Sequence, residues 1–176
     1  VSEADLPFLW ERHILDSLAP LLVTEGLGLS QGRLWIDIGS GAGLPVIPLA
    51  ISLPHWRFVA VEPRSLRAQH LLKVQKELNL GNLRVLCSKS EALAGFPDLI
   101  RKAAVVSTRA VGKIPEDAGR ARPFLGSQGT FLTYKHQETS AAIDGYNPLS
   151  YVRYRLPTVQ DTRSLVLATL SSQATK

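Results

Sequence analysis

The run Leu34-Trp-Ile-Asp-Ile-Gly-Ser-Gly-Ala-Gly-Leu-Pro45 constrains the fold more than any other stretch: an apolar strand ends at Asp37 and breaks into the alternate glycines Gly39, Gly41 and Gly43. A short apolar run is how a strand buried on both faces of a parallel sheet reads. Glycines directly behind it allow a tight turn and let a ligand approach bare backbone. A nucleotide-cofactor pocket is therefore expected around this turn. The spacing separates cofactor classes, because the third glycine comes one residue earlier than in the G-x-G-x-x-G dinucleotide fingerprint. That disfavours NAD. Gly43 is followed by Leu44 and Pro45 with no lysine, so the G-x-x-x-x-G-K-[ST] phosphate loop is absent and ATP hydrolysis is not expected.

Around the turn, hydrophobic periodicity alternates between strand and helix. Leu6, Leu9, Trp10, His13, Ile14, Ser17, Leu18 and Leu21 recur at steps of three and four, which predicts one amphipathic helix over about 5–22, packed on the domain. Strands are predicted over 33–38, 57–62, 83–87, 103–107 and 129–134, with helices from Gly43 or Leu44 to Ser52, over 65–79, and from Pro115. In the 65–79 helix Leu71, Val74 and Leu78 form the expected inner stripe, and Gly81 is the expected stop. Ser90 and Glu91 fall in a short helical or irregular stretch. Tyr151–Leu156 and Ser164–Thr169 read as two further strands, expected to close the sheet as an antiparallel pair. The pattern predicts an α/β domain with a mostly parallel sheet, whose ligand sits beyond the carboxyl ends of the strands.

The 176 residues fit one domain: a helical segment over 1–32 packed on the core, a main body over 33–170, and a loose tail over 171–176. The single cysteine, Cys87, excludes an internal disulfide and a cysteine-rich metal site, so no metal is expected. No apolar run is long enough to span a bilayer and the N-terminus is not a secretory signal, so a cytoplasmic protein without a membrane partner is expected. The sequence starts at Val1 and contains no methionine, which suggests an upstream segment. A net charge of +5 favours a polyanionic partner, provided the cations cluster; Arg64, Arg67, Lys89, Lys113, Arg120 and Arg122 are the candidates.

Two acids stand out. Glu62 ends the second predicted strand, 23 positions beyond Gly39, where a carboxylate can accept hydrogen bonds from both hydroxyls of a ribose; the alternative is an exposed glutamate before a turn. Asp37, just ahead of the glycines, is a candidate for holding a cationic amino group, for fixing the loop through backbone N–H groups, or simply for a turn acid.

Together with Asp37-Ile-Gly-Ser-Gly-Ala-Gly-Leu-Pro45, the runs Arg12-His-Ile-Leu-Asp-Ser-Leu18, Ser107-Thr-Arg-Ala-Val111, Ser90-Glu91 and Arg163-Ser-Leu-Val166 resemble the glucose-inhibited division protein B family, bacterial small-subunit ribosomal RNA guanine-N7 methyltransferases. The resemblance implies a Rossmann-like class I S-adenosylmethionine-dependent methyltransferase fold, with S-adenosylmethionine as cofactor and small-subunit (16S) ribosomal RNA or its particle as partner. It further implies that Asp37, Gly39, Ser40, Gly41, Gly43 and Leu44 cradle the cofactor, that Glu62 meets its ribose, and that Ser90 and Glu91 border its adenine. Arg109 would face cofactor and target base, where an arginine can read guanine O6. His13 and Asp16 would close one side of the pocket, and Lys135 would approach RNA phosphate; a satisfied core histidine and a solvated strand end are the plainer alternatives. The chain departs from the family pattern at Val46, where a glycine is usual, and at Leu66, His136 and Ser164. Two other readings accompany the first: a related methyltransferase with another RNA or a small-molecule substrate, and a non-catalytic RNA-binding or ribosome-assembly protein that keeps the fold.

Overall fold

The computed structural model describes residues 3–29, 32–109, 112–135, 142–157 and 162–171, without the side chains of 3–5 and of Ala94. Its centre is a seven-stranded sheet formed by β1 (Leu34–Ile38), β2 (Arg57–Val61), β3 (Leu83–Leu86), β4 (Ala103–Arg109), β5 (Leu125–Lys135), β6 (Ser150–Arg155) and β7 (Thr162–Thr169). The order is β3-β2-β1-β4-β5-β7-β6. The first five strands run parallel; β7 lies antiparallel to β5 and to β6, as expected of the C-terminal pair. The strand order reverses between β1 and β4, and the crevice at their carboxyl ends is where an open sheet of this kind takes a ligand. The glycine turn leaves β1 at this point, and Arg109 ends β4 beside it.

Alternation along the central strands feeds two cores. Leu34, Ile36 and Ile38 pack on one face with Val59, Val106 and Phe131, under helix α4 (Ile114–Ala121). Trp35 points to the other face and packs with Phe58, Val105 and Leu132. There it meets helix α2 (Val46–Ser52), Leu71 of helix α3 (Ser65–Glu77), and Ala19, Leu27 and Leu29 of the N-terminal region. Because β1 is buried along its whole length, it carries the continuous apolar reading that marks it in the sequence.

The N-terminal region departs from the single predicted helix. It is a chain of short turns: 3-10 at Glu3–Phe8, π-helical at Leu9–Leu15, 3-10 at Ala19–Val23, then a four-residue α1 (Thr24–Leu27). Pro20 removes a donor that a continuous helix to residue 22 would need. The predicted inner face splits accordingly: Leu18 and Leu21 pack on the core, whereas Leu6, Leu9 and Trp10 are exposed.

Elsewhere the differences sit at element ends. Helix α3 stops at Glu77 rather than Asn79, and Leu78 is exposed, not part of the inner stripe. The stop is made by Asn79 at φ +50, with Asn79 N–H on the Lys76 carbonyl and Leu80 N–H on Gln75, a Schellman closure two residues before Gly81. Helix α2 begins at Val46, after the turn has finished. Among the described residues no helix is long and apolar enough to cross a membrane.

Candidate active site at the β1–β4 crevice

Gly39, Gly41 and Gly43 all take positive φ, at +76, +56 and +94. The turn folds back on the ends of the neighbouring strands: the N–H groups of Gly39 and Ser40 donate to the Val61 carbonyl at 2.8 and 3.1 Å, and the Ser40 hydroxyl donates to the Asp37 carbonyl at 3.0 Å. Two of the glycines have different tasks. A side chain on Gly43 would collide with Ile47 and Leu71, so this residue lets α2 and α3 close on the turn. At Gly41 there is space, with the Arg67 guanidinium nearest at 3.8 Å from where a Cβ would stand.

Glu62, one residue past β2, is 2% exposed and buttresses the turn: one carboxylate oxygen accepts the Gly41 N–H at 2.9 Å and the other the Arg64 N–H at 2.9 Å. A carboxylate has about four lone-pair sites, so each oxygen keeps capacity for a further donor. Both edges of the carboxyl remain able to serve a diol.

The turn, Glu62 and the β4 end enclose a cavity of about 480 Å³, within the range of small-molecule sites. Gly39, Ser40, Gly41, Leu44, Glu62, His13 and Arg109 line it, as the sequence suggests. Ala42, Pro63, Arg64 and Arg67 line it too, the two arginines exposed at its rim. Val46 does not; its side chain is fully buried in the core between α2 and the sheet.

One wall comes from the N-terminal region. Arg109 donates to the carbonyls of Arg12 and His13 at 2.9 and 3.5 Å and to the Ser17 hydroxyl at 3.2 Å, and pairs with the Asp16 carboxylate at 2.8 Å. Its guanidinium lies 5.6 Å from the Tyr134 ring centre. Asp16 itself is buried behind this wall, 1% exposed.

Asp37 lies under the turn rather than in the cavity lining. Trp35 Nε1 donates to the Ser107 hydroxyl at 2.9 Å, and that hydroxyl donates to Asp37 Oδ1 at 2.6 Å, linking β1 to β4. Oδ2 is buried with no hydrogen-bond partner among the described residues. Burial pushes the Asp37 carboxyl up to about 6, against the opposing pull of the Ser107 hydrogen bond and the Arg109 charge.

Ser90 and Glu91 stand apart from the turn. They line a second cavity of about 470 Å³ with Ile100, Glu116, Arg120 and Phe124, because the 3-10 turn Ser90–Gly95 carries them towards α4. Lys135 is also elsewhere: its ammonium donates to the Gly112 carbonyl at 2.8 Å, while Asp117 accepts the Gly112 N–H at 3.0 Å, so the two grip the β4–α4 loop. His136 falls outside the described residues. Among the described residues no three His, Cys, Asp or Glu side chains gather to hold a metal. Ser17 lies in the Arg12–Leu18 run without an expected role of its own, and Tyr134 and Tyr154, which no local pattern marks, are missed as partners of the wall.

The model of the family described as rRNA small subunit methyltransferase G matches residues 1–165. The chain is 39% identical over 129 residues to "Ribosomal RNA small subunit methyltransferase G" of Sorangium cellulosum, covering 73% of this chain and 53% of that protein. It is 34% identical over 162 residues to the protein of the same name from Salmonella arizonae, covering 89% and 72%. The chain thus spans little more than half the length of the Sorangium relative. Among solved structures, a SAM dependent methyltransferase from Aquifex aeolicus superposes with a TM-score of 0.64 at 13% identity, covering 97% of this chain and 100% of that one. The N-terminal domain of human METTL16 in complex with SAH gives 0.66 at 18% identity, covering 89% and 70%. These likenesses show the Rossmann-like methyltransferase fold. On the family match and the identities together, the chain belongs to the rRNA small subunit methyltransferase G family.

Proposed function

We propose that this chain is an S-adenosylmethionine-dependent methyltransferase acting in the cytoplasm on N7 of a guanine in small-subunit ribosomal RNA. The observation that carries this reading is the pairing of a three-glycine turn after β1 with the buried Glu62 carboxylate after β2, beside the switch point of the sheet. Backbone exposed by the glycines suits the amino-acid end of the cofactor, and the spare lone pairs of Glu62 suit the ribose hydroxyls. His13, Leu44 and Arg109 complete the walls. When bound, the cofactor supplies an electrophilic methyl group on a sulfonium. Guanine N7 carries a lone pair able to accept that methyl group, and the crevice would place the two in line. No proton has to be removed from N7, so the chain contributes placement and water exclusion rather than a general base.

Arg64 and Arg67, exposed at the cavity rim, support a polyanionic substrate, since arginines beside a base-sized cavity can take flanking phosphates. Arg109 enters this reading as part of the wall, because both of its terminal nitrogens are engaged by protein acceptors. The test is transfer of labelled methyl from S-adenosylmethionine to undermethylated small subunits, with free guanosine in parallel. Label recovered as N7-methylguanosine in the RNA, and none in free guanosine, is expected. Label at another position or only on a small molecule replaces the substrate assignment, and binding of the donor without transfer favours a non-catalytic RNA-binding protein.

A further inference from the structure

The wall of the cavity is tied to strands that do not line it. Asp16 Oδ2 is shared by two guanidinium groups, Arg109 of β4 at 2.8 Å and Arg163 of β7 at 3.0 Å. Its other oxygen accepts the Tyr154 hydroxyl of β6 at 2.6 Å. One residue on, the Ser17 carbonyl accepts the Tyr134 hydroxyl of β5 at 3.0 Å, and the Ser17 hydroxyl donates to the His13 carbonyl at 2.5 Å. Residues 16 and 17 therefore reach β4, β5, β6 and β7, every strand on one side of the switch point.

Burial and the Asp16 charge raise the Tyr154 phenol above its ordinary range, so it stays a donor to the carboxylate. A buried ionic cluster is a poor way to gain stability over apolar packing, since desolvation offsets much of the attraction. What such a cluster provides is a fixed arrangement. Here that arrangement holds the backbone at Arg12 and His13 through Arg109, and with it the His13 side of the cavity.

We infer that Asp16, Tyr154 and Arg163 are positioning residues: they fix Arg109 and the 12–17 backbone as a wall of the cavity, so ligand affinity depends on a C-terminal hairpin that does not line it. The inference rests on the proposed methyl-donor site. Its test uses the full chain with Arg163→Gln, Arg163→Lys and Tyr154→Phe, measuring calorimetric binding of S-adenosylmethionine, amide hydrogen exchange over 9–17, and thermal midpoint. Arg163→Gln is expected to weaken donor binding about tenfold, within the usual span of coupling between separate sites, and to speed exchange over 9–17 while β1 and β2 keep their protection. Arg163→Lys should recover part of both effects. Tyr154→Phe should act in the same direction less strongly, and it serves alone if Arg163→Gln fails to fold. Wild-type affinity and wild-type exchange over 9–17, with only a lower thermal midpoint, would overturn the inference. If the wild-type chain binds no donor, the functional reading fails, and the exchange comparison decides the positioning claim by itself.

Discussion

The two halves of the sheet meet at the β1–β4 crevice and build it by opposite means. On the β1–β2–β3 side the site is mostly main chain: three glycines at positive φ, with one carboxylate holding two N–H groups. On the β4–β7 side it is held by side chains, with Asp16, Arg109, Arg163 and Tyr154 converging from three strands and the N-terminal region. The first half offers groups to a ligand; the second holds a wall in place. Substitutions should therefore separate, those on the β1–β3 side acting on the ligand directly and those on the β4–β7 side acting on it through the wall.

The sharpest break to try is Asp16→Ala. It strands two guanidinium groups that are 16% and 13% exposed, and removing one partner of a buried cluster costs about 3–5 kcal/mol. A urea midpoint near wild type would show that the wall is not held this way. Next is Glu62→Ala, which removes a charged acceptor from the turn and from the proposed ribose. Charged hydrogen bonds contribute about 1.5–3 kcal/mol each, so calorimetry should show donor affinity lower by about 100-fold, together with a loss of stability from the Gly41 and Arg64 N–H groups left without their acceptor.

Gly43→Ala and Gly41→Ala divide the turn itself. Gly43→Ala faces both φ +94 and the side chains of Ile47 and Leu71, and should cost about 2–3 kcal/mol by denaturation, in the range of combined backbone and packing strain. Gly41→Ala, with open space around it, should cost about 1 kcal/mol. Equal losses would contradict the division of roles.

A pH-dependent effect follows from Asp37. Its folded carboxyl is raised from 3.8 to about 6, so the folded state binds the proton more tightly than the unfolded chain. The Asp37 contribution to stability is greatest below about pH 4, declines as pH rises to about 6, and is flat above. That decline should vanish from the pH dependence of the urea midpoint in Asp37→Asn. At the far end of the scale, Asp98→Ala breaks only the Arg84–Asp98 pair, whose side chains are 46% and 60% exposed; it should change stability by less than about 1 kcal/mol.

The same contrast governs what could be read from sequence. Strands β1, β2 and β3 lie within a residue of their predicted ends, and the glycine turn and Glu62 fall where expected, because burial on both faces and backbone demands leave local marks. The Asp16 cluster left no such mark: Tyr154 and Asp16 are 138 positions apart, and neither periodicity nor spacing joins them. Three-and-four spacing over 5–22 predicts more helix than forms, because it takes no account of the donor that Pro20 removes. Only the family motifs point to Ser90, Glu91 and Lys135, and their places in the structure follow from the Ser90–Gly95 turn and the β4–α4 loop. Val46 shows the reverse case, a departure from the motif that leaves the cavity lining untouched because its side chain enters the core.

The glycine turn and Glu62 are proposed to hold the methyl donor. A crystal structure of this chain with S-adenosylhomocysteine tests it most directly. The ligand is expected in the crevice lined by Gly39, Gly41, Glu62 and Arg109, with both ribose hydroxyls within hydrogen-bond distance of the Glu62 carboxylate. A ligand seated elsewhere, or a ribose that makes no contact with Glu62, would contradict it.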